Sequence, residues 1–282
     1  MSSQPFRIGY IDYKIENFHA NVYLKAYRET LADRNAVIAG CWALDEEMGQ
    51  QWASKNAVTW YKSPKAMNAH VDAFMVLAPA NPELHLQLVK TVARFGKPIY
   101  LDKPSAPDTK TLHRIFALCD QYNAPLQTTS ALRYTAIQEK VRSMPAGDLQ
   151  HIVTWAGGRS FEEYGIHPVE LAVSCMGGEV EGLMRRTNGQ FWQLLVNFSG
   201  GRTATIHSNI GAATPFSGTL ITAKETIHMA PDTSKLFIDT AAAVLDFLKS
   251  GKPNIPREES LAVRRILDAA AKPASLKKFI KV

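Results

Sequence analysis

The chain has 282 residues, a net charge of +6 at neutral pH and a pI of about 9.1, which suits one large or two ordinary domains. No apolar run is long enough to span a bilayer, and no aromatic-interleaved basic tract marks a nucleic-acid surface, so neither a membrane nor a nucleic acid is an expected partner. The three cysteines, Cys41, Cys119 and Cys175, are too sparse for a disulfide framework or a metal cluster and read as reduced, packed thiols of a cytoplasmic protein.

Met1-Ser-Ser-Gln-Pro5 offers no apolar segment before a cleavage site, so no signal peptide is expected. The basic residues are scattered, with small clusters at Arg185-Arg186, Arg264-Arg265 and Lys277-Lys278. They are solvated surface, or an attraction for anionic ligands. Phe6 to Ile11 reads as a first strand, followed by Asp12-Tyr13-Lys14-Ile15-Glu16-Asn17-Phe18-His19 and a helix with Ala20, Tyr23, Leu24, Tyr27 and Leu31 on one face. A strand, a turn and a helix at this place frame a dinucleotide-binding fold, but the turn chemistry departs from it. Glycines there let the backbone approach a pyrophosphate, and Asp12, Lys14 and Asn17 stand where they are expected. Asp12 would repel a phosphate and Lys14 would attract one. The second strand, Ala36 to Trp42, should be followed by an acid for a ribose; Asp45 comes late and is better placed to cap a helix over Glu46 to Asn56.

Phe74 to Leu77 is a short buried strand. A helix over Glu83 to Phe95 follows, with Leu84, Leu88, Val92 and Phe95 at helical spacing and Gly96 as its stop. Ile99 to Leu101 is the next strand, parallel to the last because a helix crosses between them. The loops after these strands, Asn81 to His85 and Asp102-Lys103-Pro104, fall at the carboxyl edge of the sheet, where ligands bind in such folds. A helix beginning at Pro107-Asp108-Thr109 buries Leu112, Ile115, Phe116 and Cys119, and Pro125 to Thr129 forms another strand.

The segment from Asp72 to Pro104 resembles the signature region of the glucose–fructose oxidoreductase / inositol dehydrogenase (Gfo/Idh/MocA) family, with Asp-Lys-Pro where Glu-Lys-Pro is usual. Residues 163–170 resemble its Asp-x-Gly-x-His-x-x-Asp motif, with Glu163, Gly165, His167 and Glu170 in the four places. The resemblance extends to the C-terminal segment from Asp246 and is what a complete chain would show. It implies NAD or NADP as cofactor, held by Asp12, Tyr13, Lys14, Ile15, Pro79, Ala80, Asn81, His85, Asp102 and Lys103. It implies Lys103, His167 and Glu163 as catalytic residues, and Arg133, Tyr134, Tyr164, Glu163 and His167 as substrate contacts. An arginine paired at a domain boundary is the structural alternative for Arg133.

The chemistry of His167 fits that role. Oxidising a secondary alcohol removes the hydroxyl proton as hydride leaves carbon, and histidine titrates near neutral pH. Lys103 would orient the hydroxyl or stabilise a developing alkoxide. Glu163 would bind a neighbouring hydroxyl or orient His167. Glu163 and His167 are spaced as metal ligands on a helix, but Gly165 argues against a helix there and no third ligand is evident, so no metal is expected.

From Leu149 onward the pattern is antiparallel. Gln150 to Trp155 is a strand, and Leu171 to Met176 a helix ended by Gly177-Gly178. Val180 to Thr187, Gln190 to Phe198 and Arg202 to Ser208 form a meander, turned at Asn188-Gly189 and at Ser199-Gly200-Gly201. Trp192, Leu194, Val196 and Phe198 share a face, which makes Trp192 core or interface. Phe216 to Lys224 and Glu225 to Met229 extend the sheet, and helices cover Thr240 to Lys249 and Ser260 to Ala271.

The fold expected is α/β: a Rossmann-like parallel-sheet domain over residues 1–130, then an α+β domain over 131–282 with an open, mainly antiparallel sheet. The C-terminal helices are free to pack back on the first domain, and the family's use of such a sheet implies a homodimer or higher oligomer. The function expected is an NAD(P)-dependent oxidoreductase of a small sugar, cyclitol or polyol. The alternatives are a non-redox lyase, isomerase or ligand-binding member of the fold, and a regulatory partner without catalysis.

Overall fold

The structure, a computed structural model, describes residues 4–79 and 81–282. Its elements run β1 (Phe6–Asp12), α1 (Phe18–Arg28), β2 (Ala36–Ala43), α2 (Glu46–Lys55), α3 (Pro64–Asn68), β3 (Ala73–Val76), α4 (His85–Val92), β4 (Ile99–Leu101), α5 (Thr109–Gln121) and β5 (Leu126–Thr128). There follow α6 (Ala136–Ser143), β6 (His151–Gly158), α7 (Phe161–Tyr164), α8 (Ile166–Met176), β7 (Val180–Thr187), β8 (Phe191–Phe198) and β9 (Thr203–Ile210). The chain ends with β10 (Ser217–Ile221), β11 (Thr226–Met229), α9 (Leu236–Ser250), α10 (Arg257–Ala271) and β12 (Ile280–Lys281). Two compact units form: residues through Thr129 with Phe237–Ile255, and Ser130–Leu236 with Pro256–Val282.

The first unit is built on a five-stranded sheet of order β2-β1-β3-β4-β5, parallel throughout. The chain leaves β1 on one side to form β2 and returns to its other side with β3. The topological switch point therefore lies between β1 and β3. Every residue of β3, β4 and β5 is buried, as a parallel sheet covered on both faces requires. Local signals set the helix starts: Asn17, Asp45 and Asp108 each accept a backbone N–H of the first turn of α1, α2 and α5. The expected helix over Glu83 to Phe95 is shorter, because its two ends tighten into 3-10 turns at Pro82–Leu84 and Ala93–Phe95 around α4. Gly96, at φ 65°, takes the left-handed stop. Val244, Leu245, Phe247 and Leu248 of α9 join the core of this unit with Tyr23, Tyr27, Trp52 and Tyr100.

The second unit holds a seven-stranded sheet of order β11-β10-β6-β9-β8-β7-β12. Only β6 and β9 pair in parallel; the other pairs are antiparallel. Leu194, Val196 and Phe198 of β8 alternate inward, and with Ile152 and Ile206 they meet α8 and α10 in one core. The β7–β8 turn differs by one position from the sequence pattern. Thr187 pairs with Trp192 and Asn188 N–H donates to Phe191 O, so Gly189-Gln190 is the central dipeptide. Asn188 does not sit at the corner. Its side chain accepts from the Gln190 and Phe191 amides at 3.1 and 2.9 Å, the Asx-turn option open to this residue. Helices α3, α6 and α7 carry too few residues for a periodic pattern, and the sequence reading did not include them.

Candidate functional site

In the first unit the carboxyl ends of β1, β3 and β4 gather most of the expected cofactor residues. Asp12 ends β1, fully buried. Its Oδ1 accepts from the amides of Tyr13 and Lys14 at 2.7 and 3.2 Å, and its Oδ2 from Asn17 Nδ2 at 2.9 Å. The Ala78 amide, beyond β3, also favours the charged form of this carboxylate. Asp12 thus organises the turn after β1 at the switch point. Tyr13 is half-buried, Lys14 exposed, and Ile15 fully buried in the core.

Burial pushes the Asp12 carboxyl from its ordinary 3.8 up to about 6, against the hydrogen bonds from Asn17 and the amides, which pull it down. Between about pH 4 and pH 6 the folded chain keeps a proton that the unfolded chain has lost. The cost of ionising Asp12 is absent below that window and complete above it, worth about 3 kcal/mol for a rise from 3.8 to about 6. Asp12→Asn should therefore gain stability over the parent by about that amount between pH 4 and pH 7, read by urea unfolding. Parallel profiles for the two proteins would contradict it.

The turn after β3 is held from its other side by His85. This ring is fully buried, with Nε2 2.9 Å from Leu77 O and 3.2 Å from Ala78 O, and Nδ1 3.1 Å from Ser105 O. Ala78 is held at φ 47°, a left-handed conformation unusual for alanine. The sequence reading placed His85 among the cofactor contacts. Both ring nitrogens face backbone carbonyls of the loops after β3 and β4. Pro79 and Asn81 lie half-buried on that turn, and Ala80 falls outside the described residues.

Asp102 follows β4 and is fully buried. Its Oδ2 lies 2.5 Å from His19 Nδ1 and its Oδ1 accepts the Lys103 amide at 2.8 Å. His19 is the second residue of α1 and packs edge-on against Tyr23 and Phe237. This partner was missed as a site residue because it lies 83 positions from Asp102 in the chain. Lys103 is itself buried at the strand exit.

The second unit places His167 in the first turn of α8, buried, with Nδ1 2.7 Å from Ser130 Oγ. Ser130 also accepts the Leu132 amide at 3.3 Å, which fixes its rotamer. The sequence reading passed over Ser130, whose place before Ala131 shows only as a helix-cap signal. Tyr164 and Phe216 flank the His167 ring at 5.8 Å each. Glu163 and Tyr164 are half-buried in α7, and the backbone stays helical through Gly165, at φ −58° and ψ −21°. Gly165 is therefore no helix breaker. A side chain there would meet the Phe161 ring at 2.7 Å, so close packing is what needs glycine. At Gly158 a Cβ would stand 2.1 Å from Tyr164 Cγ. Gly158→Ala should displace the Tyr164 ring and cost about 1–3 kcal/mol, seen as a lowered denaturation midpoint with an altered near-UV spectrum.

Arg133 was expected to contact substrate. The structure shows the paired arginine held open beside that reading: Arg133 is buried between two carboxylates, its Nε donating to Glu170 Oε1 at 2.7 Å and its Nη1 to Glu259. Those two charges raise its pKa against the lowering effect of burial, the largest single influence on it. Glu170, the last place of the Gly-x-His segment, is thus an ion-pair partner. Tyr134, next in the chain, is half-buried. Trp192 is sandwiched, with the Phe161 ring stacked at 4.0 Å and the Arg185 guanidinium 4.5 Å from its centroid.

Residues 7–130 match a family model described as "Oxidoreductase family, NAD-binding Rossmann fold". No curated protein matches the chain. Among solved structures it is similar to GenD2 from gentamicin A biosynthesis in complex with NAD, at 14% identity and a TM-score of 0.80 over 99% of this chain and 97% of that one. It is similar to apo scyllo-inositol dehydrogenase from Lactobacillus casei, at 13% identity and a TM-score of 0.80 over 100% and 99% of the two chains. The myo-inositol 2-dehydrogenase from Lactobacillus plantarum gives 14% identity and a TM-score of 0.80 over 99% and 100%. At such identities the likeness is one of fold, shared along the whole chain. No helix among the described residues is long and apolar enough to cross a membrane. The expected resemblance to the Gfo/Idh/MocA oxidoreductase family is thus carried by a family-model match over residues 7–130, to its NAD-binding Rossmann fold.

Proposed function

We propose that the chain is an oxidoreductase acting on a secondary hydroxyl of a sugar, cyclitol or related polyol, with His167 as the group that takes the hydroxyl proton. The observation that carries this reading is the 2.7 Å contact between Ser130 Oγ and His167 Nδ1. When Nδ1–H donates to the serine oxygen, the lone pair lies on Nε2 and that nitrogen is the base. The same bond steadies the imidazolium once the proton has moved. Glu163 and Tyr164 bind neighbouring hydroxyls, and Tyr134 is a further substrate contact. Arg133 acts through Glu170 as a positioning residue. Lys103 supplies positive charge against a developing alkoxide.

NAD or NADP is the cofactor the family implies, as an acceptor of hydride. The residues after β1 do not fit a pyrophosphate in the glycine-loop manner. The amides of Tyr13 and Lys14 already bond to Asp12, Ile15 is fully buried in the core, and Asp45 caps α2 where a ribose acid is usual. The same observation favours a second reading, in which His167 and Lys103 move protons in a non-redox lyase or isomerase of sugar-like substrates. A homodimer through the second unit's sheet belongs to either reading.

The test is a screen of polyols and sugars with NAD and NADP, alongside assay of the denatured supernatant for released cofactor. Polyol-dependent nicotinamide reduction, lowered at least about a hundredfold in His167→Gln, upholds the first reading. Isomerised or dehydrated sugar without any nicotinamide change moves the assignment to the second.

A further inference from the structure

The cradle of amides at the β1/β3 switch point already holds an anion, and it is the chain's own. Consecutive backbone N–H groups converging on one point form the arrangement that binds a phosphate oxygen when no side chain fills it. Here Tyr13 and Lys14 converge on Asp12 Oδ1, and Asn17 Nδ2 closes on Oδ2. Asp12 is fully buried, so its charge is not screened by water. A phosphate brought to these amides would have to displace the carboxylate and lie beside a like charge.

We propose that Asp12 is an internal stand-in for a phosphate, closing this cradle so that a dinucleotide's pyrophosphate is excluded from the Tyr13 and Lys14 amides. The assignment makes Asp12 a specificity-determining residue and goes beyond the proton-transfer reading of His167, on which it does not depend. Two features of the same turn agree with it. Ile15 is buried in the core of the first unit, where a glycine would leave room for the ligand's approach. Asn17 both caps α1 through Ala20 N–H and donates to Asp12, so helix start and internal anion form one unit.

The experiment is a titration of the intact protein with NADH, read by nicotinamide fluorescence and by the backbone amide resonances of Tyr13 and Lys14. In the parent protein these two resonances should stay in place at millimolar NADH. Asp12→Gly, which removes the carboxylate, and Asp12→Asn, which removes its charge alone, should bind NADH at least about tenfold more tightly. Saturable movement of the Tyr13 and Lys14 resonances in the parent protein would overturn the proposal. So would folded variants that bind no more tightly than the parent. If neither variant folds, the parent's own resonances decide, and turnover is not a readout in either arm.

Discussion

Replacing Arg133 with alanine should lower the unfolding free energy by about 3–5 kcal/mol, the largest stability loss expected from a single polar side chain in this protein. The guanidinium lies between Glu170 and Glu259, and all three groups are withdrawn from water or nearly so. Removing the cation leaves two carboxylates near each other with no counter-charge, in a place where solvent does little to screen them. The loss comes mainly from those orphaned charges and only partly from the bonds themselves. Glu259→Gln in the Arg133→Ala background should recover part of it, because it removes one orphan. Chemical denaturation of the single and double variants measures this directly. A loss under about 1 kcal/mol for Arg133→Ala would show that the triad is solvated, as surface pairs are.

His167→Gln should reduce turnover by about 10²–10⁴-fold, the range for loss of a positioned general base. Glutamine keeps a polar side chain beside Ser130 but cannot take up a proton. Ser130→Ala should have a smaller effect and a different signature. The serine orients the ring and steadies its cationic form, so its removal should shift the pH–rate profile as well as lower its maximum. A purely structural serine would lower activity with no change in the shape of that profile. Thermal or urea unfolding of both variants separates lost chemistry from lost fold, since Ser130 also caps the turn at Ala131–Arg133.

Much of this architecture was legible in one dimension because local chemistry wrote it there. The caps at Asp45 and Asp108, the stop at Gly96 and the apolar runs of β3 and β4 each act within a few residues. Glycine was read less well, since its two uses look alike in sequence. Gly96 is there for its left-handed φ, whereas Gly165 keeps a helical backbone and is there because Phe161 leaves no room for a side chain. The sequence alone therefore determined the parallel first sheet, the mainly antiparallel second one, and the presence of Asp102-Lys103 and Gly165-x-His167 on segments that resemble one family. Which partners the charged and polar groups choose was decided only by tertiary structure. His19 meets Asp102, Ser130 meets His167, and Arg133 meets Glu259 across 83, 37 and 126 positions. The physical reason is that a buried polar group must find a partner wherever the fold brings one, and its choice leaves no local pattern in the chain. Asp12 shows both halves of this: the absence of glycine is plain in the sequence, but only the folded turn reveals that its carboxylate has taken the amides for itself.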